Sequence, residues 1–386
     1  MHDVGVEISG TCAPGYERVR DAFAENFTRR DEIGASVAVI AAGTPVVDLW
    51  AGWADSARTR PWQAGTLTNV WSTTKAMTSV CAHILISRGE LDPDAPVARY
   101  WPEFAAGGKE DIPVRWVMSH RAGLPGVTVP LRVEDYYDWE KITGLLAAQE
   151  PFWTPGTASG YHALSFGYLV GEVVRRITGL SLGRFFAAEV AGPLGADFHI
   201  GLGEADLGRC SDVHGFRRGL SDDEVAELAR SDASMRPVLA ALANPAMTGS
   251  EANMPAWRRA EIPAANGHGT ALALATVLGA MADGSERLVS AATLRAVRTG
   301  QGRCTDRVLG IPLEYGLGFG LSGPERHFGP DPAAFGHDGM GGSTVCADAG
   351  RGIAFAYVMN RLGTQLLGDP RKMALLTALY EAIGER

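Results

Sequence analysis

The chain has 386 residues, of which 46% are hydrophobic and 20% charged, a balance typical of a soluble globular protein with one large domain or two. The formal net charge of −9 disfavours nucleic acid or an anionic membrane surface as a partner. No signal peptide and no apolar run long enough to cross a bilayer is visible. The five cysteines are widely spaced without a CxxC pair, which favours reduced thiols, no zinc site and a cytoplasmic location.

The first quarter of the chain predicts two helices with a β-hairpin between them. Apolar residues recur at helical spacing over residues 15–26. Runs rich in Val and Ile at 35–41 and 45–50 predict the two strands of the hairpin. A second helical pattern runs from Met77 to Leu85, and Gly89 ends it.

The rest of the chain is predicted to be helical in the middle and to return to strands near its C-terminal end. The predicted elements are loops and short helices over 91–155, helices over 166–177, 267–281 and 371–383, and strands over 344–347 and 353–359. Because strands lie near both ends, we expect one sheet built from both termini, with a helical region inserted. The predicted domains are 1–73 with 266–386, and a mostly helical 74–265.

The tetrad Ser72-Thr73-Thr74-Lys75 is the first candidate for chemistry. Residues three apart share a helix face, so the lysine amine can reach the serine hydroxyl. A serine is a weak nucleophile and needs a base, and lysine is a base only when it is neutral. The ordinary pKa of a lysine is about 10.4, so burial or a nearby cation must lower that pKa before the amine is neutral near pH 7. The alternative is a helix-capping serine followed by a solvated lysine.

Two later segments support a site. Tyr161 follows a loop rich in Gly and Ser, which is a suitable place from which to present a hydroxyl to a cleft; the alternative is a tyrosine that packs on the next helix. Residues 336–343 are rich in glycine and precede a strand, so a backbone N–H there can approach a ligand and stabilise an oxyanion. The alternative is a plain glycine turn.

Together these segments resemble the superfamily of serine β-lactamases and penicillin-binding proteins. The sequence is most similar to the family VIII carboxylesterases, which are related to class C β-lactamases. Three segments carry this similarity: the residues around Ser72, the run from Tyr161 to Glu172 and the run from Gly336 to Ser343. The resemblance implies an α/β (α+β) serine β-lactamase-like fold, with a mostly antiparallel sheet flanked by helices and an inserted helical domain. It also implies two-step acyl transfer without metal or cofactor.

The resemblance also implies a role for each residue. Ser72 is acylated, and Lys75 shares the general acid and base work with Tyr161. The backbone N–H groups of Ser72 and Met340 form the oxyanion hole. Substrate contacts are expected from His337, Gly339 and Trp153. The alternative for His337 is a structural histidine at a strand end, and the alternative for Trp153 is a packing residue.

Two departures from the lactamase pattern point to esters. The Tyr-x-Asn motif of the lactamases is here Tyr161-His162-Ala163, and alanine cannot hydrogen-bond the amide side chain of a lactam. Their Lys-Thr-Gly is here His337-Asp338-Gly339, and a neutral histidine offers no fixed charge to a penicillin carboxylate. We therefore expect a serine esterase that hydrolyses short-chain acyl esters. The alternatives are a lactamase, D,D-peptidase or acyltransferase that uses the same site, and a binding protein that does not turn over.

A second serine motif, Gly179-Leu180-Ser181-Leu182-Gly183, matches the G-x-S-x-G pattern of α/β-hydrolases. That motif requires a strand before the serine, whereas a helix is predicted there. We therefore interpret Gly179 as the end of one helix and Ser181 as the N-cap of the next.

Overall fold

The computed structural model describes residues 6–215, 220–325, 327–365 and 367–384. The strands of these residues are β1 (Ile8–Cys12), β2 (Gly34–Ala41), β3 (Thr44–Gly52), β4 (Thr68–Asn69), β5 (Phe198–Ile200), β6 (Gly267–Gly269), β7 (Cys304–Thr305), β8 (Pro312–Leu313), β9 (Gly320–Leu321), β10 (Phe335–Asp338), β11 (Thr344–Asp348) and β12 (Ile353–Met359).

The helices are α1 (Glu17–Arg29), α2 (Thr74–Ser87), α3 (Val114–Met118), α4 (Trp139–Ala148), α5 (Ser165–Thr178), α6 (Leu182–Phe186), α7 (Gly192–Leu194), α8 (Asp222–Ser231), α9 (Arg236–Leu242), α10 (Pro255–Arg259), α11 (Ala271–Ala282), α12 (Ala291–Arg298) and α13 (Pro370–Gly384). Short 3₁₀ turns and a π-helical segment connect several of them. The predicted first hairpin, the helices around 15–26 and 166–177, and the two strands near the C-terminal end are confirmed.

A seven-stranded sheet forms the centre of the molecule, in the order β1-β3-β2-β12-β11-β10-β9. Every neighbouring pair is antiparallel. The two ends of the chain meet where β2 pairs with β12, with Val39 opposite Phe355 and Val37 opposite Tyr357. The prediction of one antiparallel sheet built from both termini is confirmed.

Alternation along the strands gives this sheet two different faces. One face carries small residues and lies against α11, where Ser36 Oγ accepts the N–H of Ala271 and Ile40 contacts Gly279. The other face is covered by α1 and α13, which pack on each other. The sheet is therefore a layer between helices.

A second, three-stranded sheet in the order β4-β6-β5 brings distant parts of the chain together. The prediction that residues 267–281 are helical throughout is wrong at its start. Gly267–Gly269 pairs as a strand with both β4 and β5, and the helix begins only at Ala271. Here pairing with two neighbours outweighs the local helical pattern.

Helix α2 runs through the interior, and its residues from Thr74 to Leu85 are all buried. It packs against α5 and α6, which belong to the helical region between β4 and β6. A helix that is buried on all sides, as α2 is over these residues, belongs to the core of a large domain. The division into domains 1–73 with 266–386 and 74–265 stays a prediction.

Candidate active site

Ser72 lies in a 3₁₀ turn, Trp71–Thr73, that leads directly into α2. Trp71 before it has φ of 49°, a left-handed conformation that costs a bulky residue about 1–3 kcal/mol. The surroundings hold it there, since the Trp71 ring is buried and lies 5.7 Å from the ring of Trp257. A strained backbone is thus maintained directly before the candidate nucleophile.

Lys75 points back at Ser72 from one turn along α2. Its Nζ lies 3.0 Å from Ser72 Oγ and 2.9 Å from the carbonyl oxygen of Ala264. The Lys75 side chain is fully buried, and no carboxylate is among its hydrogen-bond partners here. Burial holds the pKa of Lys75 well below its usual value, which favours the neutral amine. The alternative of a solvated lysine is wrong.

Tyr161 lies over the same amine. Lys75 Nζ is 4.8 Å from the centroid of the Tyr161 ring, and Tyr161 as a residue is 8% exposed. His120 lies on another side of Tyr161, with ring centroids 5.1 Å apart. The fold therefore brings the predicted serine, lysine and tyrosine into one cluster.

Asp306 fixes the backbone at Tyr161 and was not a candidate from the sequence. Its Oδ1 accepts the N–H groups of Tyr161 (2.9 Å), Val308 (3.0 Å) and Leu309 (3.0 Å). Its Oδ2 accepts the hydroxyl of Ser159 at 3.3 Å. The side chain is fully buried. An aspartate in an irregular loop has no periodic pattern, so nothing in the sequence marks it.

The glycine-rich segment after β10 lies against the serine turn. Ser343 Oγ donates to the carbonyl oxygen of Val70 at 2.8 Å and lies 3.1 Å from Thr73 Oγ1. A Cβ atom on Gly339 would lie 2.1 Å from Ser343 Oγ and 2.3 Å from the Val70 carbonyl oxygen. Only glycine permits so close an approach, so this is more than a plain turn.

The geometry of this turn orients the Met340 N–H. The carbonyl oxygen of Gly339 accepts the N–H of Gly342 at 3.1 Å, inside the turn. A trans peptide directs its N–H opposite to its carbonyl oxygen. The Met340 N–H therefore points out of the turn, as a donor to a ligand must.

Two predicted substrate contacts lie beside Tyr161. The His337 ring is 6.0 Å from the Tyr161 ring, and its Nδ1 is 2.8 Å from the carbonyl oxygen of Asp338. Trp153 packs beneath the tyrosine loop, because its Nε1 donates to the carbonyl oxygen of Ala158 at 3.1 Å and a Cβ atom on Gly160 would lie 2.4 Å from its ring. The roles of both residues in substrate binding stay predictions.

Ser181 is an N-cap, as interpreted from the sequence. Its Oγ accepts the N–H of Arg184 at the start of α6 and donates to Glu261 Oε1 at 2.7 Å. Gly179 ends α5 with φ of 74°. No lysine, histidine or tyrosine is among the partners of this hydroxyl in the structure.

The described ranges also provide facts about metal ions, membrane helices and thiols. They contain no group of three or more His, Cys, Asp or Glu side chains placed to hold a metal ion. They also contain no helix with the length and apolar character needed to cross a membrane. All five cysteines are free thiols.

Comparisons with known proteins agree with this geometry. The family model described as Beta-lactamase matches residues 19–378, so the chain belongs to the beta-lactamase family. Among curated relatives, the Esterase/beta-lactamase LipL of Mycobacterium tuberculosis is 37% identical over 384 residues, covering 95% of this chain and 86% of LipL.

Solved structures lead to the same family. A family VIII carboxylesterase is 42% identical with a TM-score of 0.91, covering 97% of this chain and all (100%) of that chain. A penicillin-binding protein homologue from Caulobacter crescentus is 37% identical with a TM-score of 0.87, at coverages of 97% and 100%. The predicted resemblance and the serine β-lactamase-like fold are confirmed.

Proposed function

We propose that this protein is a serine carboxylesterase that hydrolyses short-chain acyl esters through an acyl-enzyme on Ser72. The observation that carries the proposal is the 3.0 Å contact between Ser72 Oγ and the buried amine of Lys75. A buried lysine with no carboxylate partner among the residues that the structure describes is costly to keep, and activation of a serine accounts for it. The esterase relatives support the choice of an ester as substrate.

In the proposed acylation, neutral Lys75 takes the proton of Ser72 as Oγ attacks the ester carbonyl carbon. The carbonyl oxygen becomes an oxyanion, which accepts the N–H groups of Ser72 and Met340; one such donor is worth about 3–4 kcal/mol. Tyr161, beside the amine, passes a proton to the departing alkoxide, and the alcohol leaves. Water then attacks the acyl-enzyme: Tyr161 takes a proton from the water, Lys75 returns its proton to Ser72 Oγ, and the carboxylic acid is released.

Hydrolysis of β-lactams is the second candidate, since the name of LipL joins esterase and β-lactamase. Ala163 and His337 stand where the lactamase pattern has Asn and Lys, so the side-chain amide and the carboxylate of a penicillin lose their partners. Both residues lie close to Tyr161. These two differences from the lactamase pattern weaken contacts to a lactam and leave the proposed acyl-transfer groups unchanged. They therefore favour an ester as the substrate.

The remaining proposals follow from composition and fold. The five free thiols are consistent with a cytoplasmic protein, where cysteines stay reduced. The net charge of −9 favours a small-molecule ester over nucleic acid as partner. The proposed active site lies where the sheet domain, 1–73 with 266–386, meets the helical domain, 74–265.

The decisive experiment is a panel of p-nitrophenyl esters and a chromogenic cephalosporin, run on the wild type and on Ser72→Ala. We expect ester turnover that Ser72→Ala abolishes, with much slower lactam turnover. Cephalosporin turnover that rivals that of the ester would make the second candidate the better one. Ser181→Ala is the matched control and should retain activity.

Intact-mass measurement with a fluorophosphonate tests the acyl-enzyme directly. We expect one adduct, located on Ser72 and lost in Ser72→Ala. A folded wild type without any adduct would favour the alternative of a binding protein that does not turn over.

A further inference from the structure

The first turn of α13 carries two buried cations, on the face of the large sheet opposite to α11. Arg371 and Lys372 are 3% and 1% exposed. Cations at a helix N-terminus oppose the helix dipole, and burial adds a desolvation cost to each. Neither residue takes part in the proposed chemistry, so their position needs another explanation.

Arg371 reaches the glycine turn from behind. Its Nη2 donates to the carbonyl oxygen of Gly341 at 2.6 Å, the residue directly after Met340. The same oxygen accepts the N–H of Gly363 at 2.8 Å. Gly341 has φ of 86°, a conformation that is costly for other residues and that these two bonds help to fix.

Carboxylates hold the Arg371 guanidinium in one orientation. Asp369 accepts from Nε at 3.0 Å and from Nη2 at 2.9 Å, and Glu32 accepts from Nη1 at 3.1 Å. Tyr357 in turn donates its hydroxyl to Glu32. Because Glu32 and Asp369 are buried as well, the guanidinium has little freedom to move.

Lys372 reaches the other end of the turn. Its Nζ lies 2.6 Å from Oδ1 of Asp338, the last residue of β10. Side chains alternate along a strand, so Asp338 faces α13 while His337 faces the Tyr161 side. The ion pair therefore fixes β10 from the side away from the active site.

We propose that Arg371 and Lys372 form a clamp that positions the Met340 N–H for the oxyanion. The clamp holds the turn at both ends, through the carbonyl oxygen of Gly341 and the carboxylate of Asp338. The proposal rests on the proposed function, because it assigns Met340 a role in acyl transfer. Both cations are positioning residues, since neither touches the reacting atoms.

The test uses Arg371→Lys, which keeps the charge but cannot reproduce the planar fork of contacts. A misplaced oxyanion donor acts on the transition state, so we expect kcat for p-nitrophenyl acetate to fall at least about tenfold with KM almost unchanged. Amide hydrogen exchange of the peptide that spans 336–343 should also accelerate. The matched control is Arg175→Lys, a substitution in a distant ion pair with the buried Glu172, which should leave kcat and this exchange unchanged.

The outcomes separate the clamp from the proposed function. If Arg371→Lys keeps the wild-type kcat and loop exchange, the clamp proposal is wrong. It is also wrong if Arg175→Lys lowers kcat as much as Arg371→Lys does. If the wild type shows no turnover that depends on Ser72, the proposed function fails, and loop exchange alone still decides whether the clamp exists. If Arg371→Lys does not fold, the double variant Lys372→Met with Asp338→Asn, which leaves no unpaired charge, should give the same two effects.

Discussion

Replacement of Asp306 by alanine should damage the site without touching the reacting groups. The Asp306 carboxylate accepts four hydrogen bonds, of which three come from the backbone N–H groups of Tyr161, Val308 and Leu309, the first two buried and the third partly buried. Alanine removes both acceptor oxygens and therefore all four hydrogen bonds at once. The loop that carries Tyr161 then loses the contact that fixes its backbone over Lys75.

The expected loss in the free energy of unfolding follows from the three N–H groups. Hydrogen bonds to a charged acceptor contribute about 1.5–3 kcal/mol each, so three at the low end amount to about 4.5 kcal/mol. Water that enters the space left by the carboxylate restores part of this. We therefore expect the free energy of unfolding to fall by about 3 kcal/mol. A displacement of Tyr161 by about 1 Å should lower kcat by about 100-fold.

Urea denaturation and steady-state hydrolysis of p-nitrophenyl acetate measure the two effects. Asp306→Asn is the control, because its amide oxygen still accepts the three N–H groups and should preserve most of the activity. Wild-type kcat in a folded Asp306→Ala would refute the reasoning. Equal losses in Asp306→Asn and Asp306→Ala would show that the negative charge, and not the accepted hydrogen bonds, is what matters.

Three further predictions concern the groups around Ser72. Burial lowers the pKa of Lys75 and the base must be neutral, so kcat/KM should fall as pH drops through that pKa; a flat profile from about pH 5 to 9 would contradict this. Gly339→Ala places a Cβ atom 2.1 Å from Ser343 Oγ, so we expect about 1–3 kcal/mol less stability by thermal unfolding and a lower kcat. Ala163→Asn restores the lactamase side chain and should raise cephalosporin turnover relative to ester turnover; an unchanged ratio would argue against our account of specificity.

Local patterns predicted the helices, the hairpin and the pairing of Ser72 with Lys75. Residues three apart share a helix face, so the tetrad places Lys75 within reach of Ser72, while the contact itself is seen only in the structure. The same kind of argument separated Ser181 from the candidate nucleophile Ser72, because a helix before Ser181 excludes the strand that a nucleophile elbow needs. Tyr161 and Met340 depended on resemblance, since their loops have no periodic pattern.

The sequence by itself thus predicted the family and the sheet built from both ends of the chain, and it singled out Ser72 and Lys75 as candidates whose roles stay predictions. Only the tertiary structure decided that the Lys75 amine lies against the carbonyl oxygen of Ala264, that Asp306 holds Tyr161 and that Arg371 and Lys372 lie behind the glycine turn. Burial and hydrogen bonding of these groups depend on residues far away in the chain, such as Ala264 for Lys75. Local periodicity carries no information about such partners, so folding alone reveals them.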